Sequence, residues 1–362
     1  MVYARGSRPL AASIVAIALA GLSLEPSRLA VRVTAASLPA RLSDQEFWRI
    51  TTSTSEPDGT FRSDNLLSNE SGYQYVVPEL TRTAKPGRVY LGVGPEQNFT
   101  YIVATKPTMA FIVDIRRGNL DLQLMYKALF ELSADRGEFV SRLFSKKRPD
   151  GITAKSTVNE IFARFWDVPT SEQLFNENLQ AIEEQLVKKH GFALPQDDLR
   201  GLEYVYHAFY FYGPKIQYSS TGSFGGAFQP NYADLMTAVD MAGVSRGYLA
   251  SEESFQFMKE LEARNMLVPV VGNFGGPKAI RAVGAYLREM ATTVSTFYLS
   301  NVEQYLRQDG IWGAFCANVA SLPLDDTSTF IRSARRVGDP TPGFGLASEL
   351  GNVVSETRVC RP

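Results

Sequence analysis

The chain has 362 residues, 44% of them apolar and 21% charged, a composition able to bury a large core as one α/β domain with insertions or as two domains. A formal net charge of -1 gives no electrostatic footprint for nucleic acid. Two cysteines and two histidines, with no His pair at metal-ligand spacing, exclude a disulfide scaffold and a cysteine-rich zinc site, so no metal is expected.

Arg5 and Arg8 precede the almost wholly apolar run Leu10 to Leu24. A basic segment before an apolar run of this length is the layout of a secretory signal, and the run is shorter than the roughly 18 to 20 residues of a spanning helix. With small residues at Thr34-Ala35-Ala36 as a cleavage site, residues 1–36 read as a signal peptide. The mature chain is then exported, periplasmic or secreted, without membrane spans. An uncleaved anchor and an organellar transit peptide are the alternatives.

Ser43 and Glu46 are spaced as a capping box, which predicts a short helix over 43–49. The stretch through Pro86 is rich in Ser, Thr, Asn, Gly and Pro and reads mainly as loop. Val89 to Val93 then reads as a strand, Gly94-Pro95 as a turn, Asn98 to Thr105 as a helix, and Met109 to Ile115 as a buried parallel strand. Together they make a βαβ unit. From Leu120 to about Tyr212 the spacing is helical, with Leu124, Met125, Leu129, Phe130 and Leu132 on one face and a stop at His190-Gly191. Residues 118–215 are therefore read as a helical insertion, and the aromatic cluster from Tyr204 to Tyr212 as mainly core packing.

Ser219 to Gln229 is a glycine- and serine-rich loop, either a lid or an ordinary surface loop. Helices are expected over 231–242, 252–264 and 277–290, and strands over 267–271, 293–299 and 315–322. This alternation predicts one α/β domain, 37–362, with a Rossmann-like, doubly wound, mostly parallel sheet. Cys316 and Cys360 are either bridged, tying the tail to the last of these strands, or one buried and one in the tail.

Ligands of such sheets bind beyond the carboxyl ends of the strands. Gly92 and Gly94 form the first turn, with Gln97 where a dinucleotide fingerprint has its third glycine. Asp114 follows Gly94 at the spacing of an acid that binds a ribose hydroxyl. Glu96, Asn98, Arg116, Asn273 and Asn301 are the other polar candidates at strand ends. An ionised Glu96 beside a helix N-terminus would repel a pyrophosphate and suit a sulfonium or ammonium. That favours S-adenosylmethionine, or a similar nucleoside, over NAD(P), while Arg116 and Arg117 keep a 2′-phosphate in play. His207 and Tyr298 are candidate bases whose alternative reading is structural.

The β-turn-α-β segment resembles class I S-adenosylmethionine-dependent methyltransferases, with GVGPEQN in place of their glycine-rich first motif and Asp114 in place of the acid ending their second strand. More closely, GVGPEQNFTYIVA, FIVDIRR and LMYKALFELSADR resemble an uncharacterised bacterial family with a methyltransferase-like fold, over most of the mature chain. The resemblance implies a sheet that binds the methyl donor and transfers methyl to an unknown acceptor. The third glycine is absent, and Gly272-Asn273-Phe274-Gly275 stands where a catalytic signature is expected after a fourth strand. A non-catalytic binding module and an NAD(P)-dependent oxidoreductase are the alternative readings.

Overall fold

A computed structural model describes residues 37–220, 229–335 and 346–360, which fall in one compact unit. Residues 1–36, read from the sequence as a signal peptide, and residues 221–228 of the glycine-rich loop lie outside the described residues. The chain is α/β, with a six-stranded, mostly parallel sheet. In chain order the strands are β1 (Val89–Gly92), β2 (Met109–Asp114), β3 (Leu267–Val271), β4 (Val294–Ser300), β5 (Thr329–Arg335) and β6 (Leu346–Asn352). Their spatial order is β3-β2-β1-β4-β5-β6, and only β6 runs antiparallel to its neighbour. β1 and β2 are continuous apolar runs because both faces are covered, and every residue in them is buried.

Fourteen α-helices accompany the sheet among the described residues. α1 (Asp44–Thr54) starts at Ser43, whose hydroxyl accepts the Glu46 amide, and runs five residues beyond the predicted 43–49. The predicted loop before β1 contains α2 (Val77–Thr83), entered through a 3-10 turn at Tyr73–Val76; Pro in its first turn and its brevity masked the helical pattern. α3 (Gln97–Thr105) joins β1 to β2. The link from β2 to β3 holds α4 (Arg117–Leu132), α5 (Arg136–Leu143), α6 (Val158–Phe165), α7 (Glu172–Glu183), α8 (Gln196–Tyr212), α9 (Tyr232–Thr237) and α10 (Glu252–Ala263). α9 ends five residues short of the expected 231–242. A π-helical turn, Glu184–Lys189, closes α7, and Gly191 follows with φ +68°. α3, α4, α8 and α10 pack on one another and on the sheet through α3–β1, α4–β2 and α4–β3 contacts.

The second half supplies α11 (Ala279–Glu289), α12 (Val302–Gln308), α13 (Trp312–Ala320) and α14 (Val353–Glu356). Most of the predicted strand 315–322 instead lies in α13, which ends at Ala320. A short apolar run of that kind has no periodicity to separate strand from buried helix. Cys316 therefore joins the tail to a helix, through a disulfide with Cys360. Neither β5 nor β6 was expected, since TFIRSAR and LASELGN are too polar to read as core strands.

β3 lies at the end of the sheet, which explains Pro269 in its centre: a missing N–H costs nothing where no further strand waits. The exposed side of β3 is met by the chain leaving α1, where Ser55 Oγ accepts the Val271 amide (3.0 Å) and the Glu56 amide donates to Val271 O (2.8 Å). That pairing fixes the position of Glu56.

Candidate ligand-binding site

The strand order reverses between β1 and β4, and a cavity of about 420 Å³ opens there at the carboxyl ends of β1 to β4. Its floor is made by Gly94 after β1, Asp114 and Arg116 at the end of β2, Asn273 after β3, and Ser300 and Asn301 after β4. The 60–70 loop forms its roof, and Tyr218, Tyr298 and Tyr305 stand in its walls. The size is that of a small-molecule pocket.

Five of the eight sequence-derived candidates, Gly94, Asp114, Arg116, Asn273 and Asn301, come together on this cavity. The other three, Gly92, Glu96 and Asn98, lie behind it. Asn98 is fully buried; its amide nitrogen lies within hydrogen-bonding distance of the carbonyls of Val93 (2.8 Å), Gly94 (3.3 Å) and Pro95 (2.7 Å), and its Oδ1 accepts from Tyr90. It holds the turn in which Gly94 takes φ +75°, a conformation glycine reaches without strain. Gly92 is required for the same packing, because a Cβ there would collide with Asn98 Oδ1 and the Tyr90 ring.

Glu96 corrects the electrostatic argument built on it. Its side chain is 1% exposed, and burial raises its pKa to about 8 against the Ser68 amide that donates to Oε1. At neutral pH it is mainly uncharged, and it does not face the ligand space. It can neither repel a phosphate nor attract a sulfonium.

Asp114 Oδ1 accepts the Arg116 amide (2.9 Å) and lies 3.3 Å from Arg116 Nε, and its backbone carbonyl accepts the Gly272 amide, tying the ends of β2 and β3 together. Among the described residues no donor reaches Oδ2. Arg116 caps α4 and is only 9% exposed; its Nη1 donates to Asp64 O, while Nε and Nη2 have no hydrogen-bond acceptor. Arg117, by contrast, is taken up by Asp198 in a bidentate pair at 2.5 and 2.6 Å. Asn273 Oδ1 accepts the Gly275 amide. Gly272 to Gly275 follows the third strand rather than a fourth, whose end is Ser300-Asn301.

The N-terminus of α11, near the cleft, is filled by the protein itself. Glu56 accepts the backbone N–H groups of Asn273 (3.1 Å), Lys278 (2.8 Å) and Ala279 (2.8 Å) at the start of α11. Beside the start of α3, the Ser68 amide donates to the Glu96 side chain and the Ser68 hydroxyl to the Gln97 side chain, which ties the roof loop to that helix.

Sequence reasoning missed Glu70. It is 1% exposed, borders the cavity, and accepts from Tyr298 (2.8 Å) and Ser300 (2.5 Å) at Oε1 and from Gln97 (2.9 Å) and Ser348 (3.2 Å) at Oε2. Burial drives the Tyr298 phenol well above its usual pKa, consistent with its role as a donor. The one signal for this loop was Leu66-Leu67 in a polar stretch, and both leucines are buried. His207 sits exposed on α8 among the Phe175, Tyr210 and Phe211 rings, outside the cavity.

Among the described residues no His/Cys/Asp/Glu group could hold a metal, and no helix is long and apolar enough to cross a membrane. Comparison with curated proteins gives no match. The model of a family described as a domain of unknown function (DUF7790) matches residues 66–345, from the cavity roof to the β5–β6 connection, and the chain belongs to that family.

Proposed function

We propose that the cleft binds a nucleoside-type ligand without phosphate, S-adenosylmethionine first among them, on a doubly wound sheet of the Rossmann-like, methyltransferase-like kind. The observation that carries this reading is the cavity at the strand-order reversal with Asp114 on its floor, where such sheets hold a ribose. A hydroxyl donating to Asp114 Oδ2 would complete that carboxylate, and a ribose diol supplies hydroxyls of that kind. The occupied N-terminus of α11 and the engaged Arg117 speak against a pyrophosphate or 2′-phosphate at those two places, hence against NAD(P).

Methyl transfer is the activity such a ligand would serve, by aligning an unknown acceptor with the sulfonium methyl and excluding water. A binding module without chemistry is the second reading, favoured by the candidate bases: Tyr298 donates to Glu70, and His207 lies elsewhere. Export of the mature chain remains part of the proposal, and the Cys316–Cys360 bridge supports it because disulfides persist in oxidising compartments. N-terminal sequencing of the native protein tests export; retention of residues 1–24 refutes cleavage.

Calorimetric titration with S-adenosylmethionine, S-adenosylhomocysteine, NAD and NADP tests the ligand. Binding of the two sulfur nucleosides that weakens at least about tenfold in Asp114→Ala is the expected result. Heat from none of the four overturns the nucleoside reading.

A further inference from the structure

Glu70 borders the cavity with its side chain buried, and among the described residues no Lys, Arg or His pairs with it. Its four hydrogen bonds all come from neutral groups: two hydroxyls of β4, one of β6 and the Gln97 amide. A carboxylate offers about four lone-pair sites, so these donors fill it. Its oxygens are thus unavailable to a ligand donor, while its field still reaches the cavity, uncompensated and in a poorly solvated place. Such a wall attracts a positive charge that needs no acceptor. A primary ammonium brings three N–H groups that would go unpaired here; a sulfonium or quaternary ammonium brings none. The rings of Tyr298, Tyr305 and Tyr218 line the same space, and aromatic faces suit an alkylated cation.

We propose that Glu70, with these rings, forms an onium subsite that selects a ligand carrying an alkylated positive charge, a sulfonium or a quaternary ammonium. This deepens the nucleoside reading by naming the second group that the ligand presents, and it stands on a different residue from Asp114.

The test titrates wild type, Glu70→Gln and Glu70→Asp with two matched pairs: S-adenosylmethionine against S-adenosylhomocysteine, and S-methylmethionine against methionine. Each pair differs at sulfur, sulfonium against thioether. The wild type is expected to prefer the sulfonium by about tenfold. Glu70→Gln should lose the preference, read as the ratio of the two affinities within each pair, and Glu70→Asp, which keeps the charge, should retain most of it. Equal binding of the adenosyl pair in wild type overturns the subsite and leaves the nucleoside reading standing. No binding of either nucleoside, with S-methylmethionine still preferred over methionine in wild type alone, overturns the nucleoside reading and keeps the subsite. Should Glu70→Gln not fold, the wild type decides, because absence of a sulfonium preference in both pairs overturns the proposal.

Discussion

Among the described residues two arginines are almost completely buried, and they are treated in opposite ways. Arg136, at the start of α5, donates to the carbonyls of Leu249, Ala250, Ala154 and Ser156 and pairs with Glu252 at 3.1 Å, which binds three segments of the helical region together. Arg116, on the cavity floor, has one carbonyl and a single neighbouring carboxylate, with Nη2 left over. The same contrast holds for acids. Glu131 in α4 meets His190 at 2.6 Å and Lys127 at 2.8 Å, whereas Glu70 meets no cation. Where the chain completes its own buried charges, their role is architectural; where it leaves them short beside a cavity, they point to a ligand.

The strongest way to break that comparison is to remove each arginine. Arg136→Ala should cost about 3–5 kcal/mol of stability in chemical denaturation, as loss of a hub with buried partners does. Arg116→Ala should cost under about 1 kcal/mol and weaken nucleoside binding instead. Equal destabilisation by the two would make Arg116 structural as well.

Next in size is the bridge between α13 and the tail. Cys316→Ser should lower stability by about 2–4 kcal/mol, and the unreduced wild type should migrate differently from the reduced form. Two titratable thiols in the native protein would rule the bridge out.

The pH profile sharpens the comparison further. Burial tends to raise Glu131, but the His190 hydrogen bond and Lys127 outweigh it and bring its pKa to about 2. Stability from this group is present above the ordinary carboxylate pKa and is lost as pH falls toward 2. Burial raises Glu96, Asp121 and Glu262 to about 8 each, so their protonated forms are favoured in the fold and stability is lost as pH rises from about 4.5 to 8. Thermal melts should therefore peak near pH 4.5 to 5, and Glu262→Gln should flatten the alkaline side. A melting temperature that climbs from pH 5 to 8 would refute this account.

The last expected effect concerns the rim. Glu56→Ala removes a carboxylate from two backbone N–H groups at the start of α11 and from the Asn273 N–H after β3, and should cost about 1–2 kcal/mol. If a phosphate seat is thereby opened, inorganic phosphate should stabilise this variant and leave the wild type unchanged.

The sequence by itself determined the elements whose burial is written into local pattern. β2 and β3 are continuous apolar runs, α3 and α10 lie within a residue of their expected bounds, and Gly94 and Asp114 already mark a strand-end site. Tertiary structure alone decided which polar groups are charged, spent or left over. Glu96 and Glu70 look alike in sequence, yet one is an uncharged prop behind the turn and the other borders the cavity and accepts four hydrogen bonds. The partners of Glu70 stand from 27 to 278 residues away, on α3, β4 and β6. Desolvation and hydrogen bonding act through space, so no local pattern could have distinguished the two.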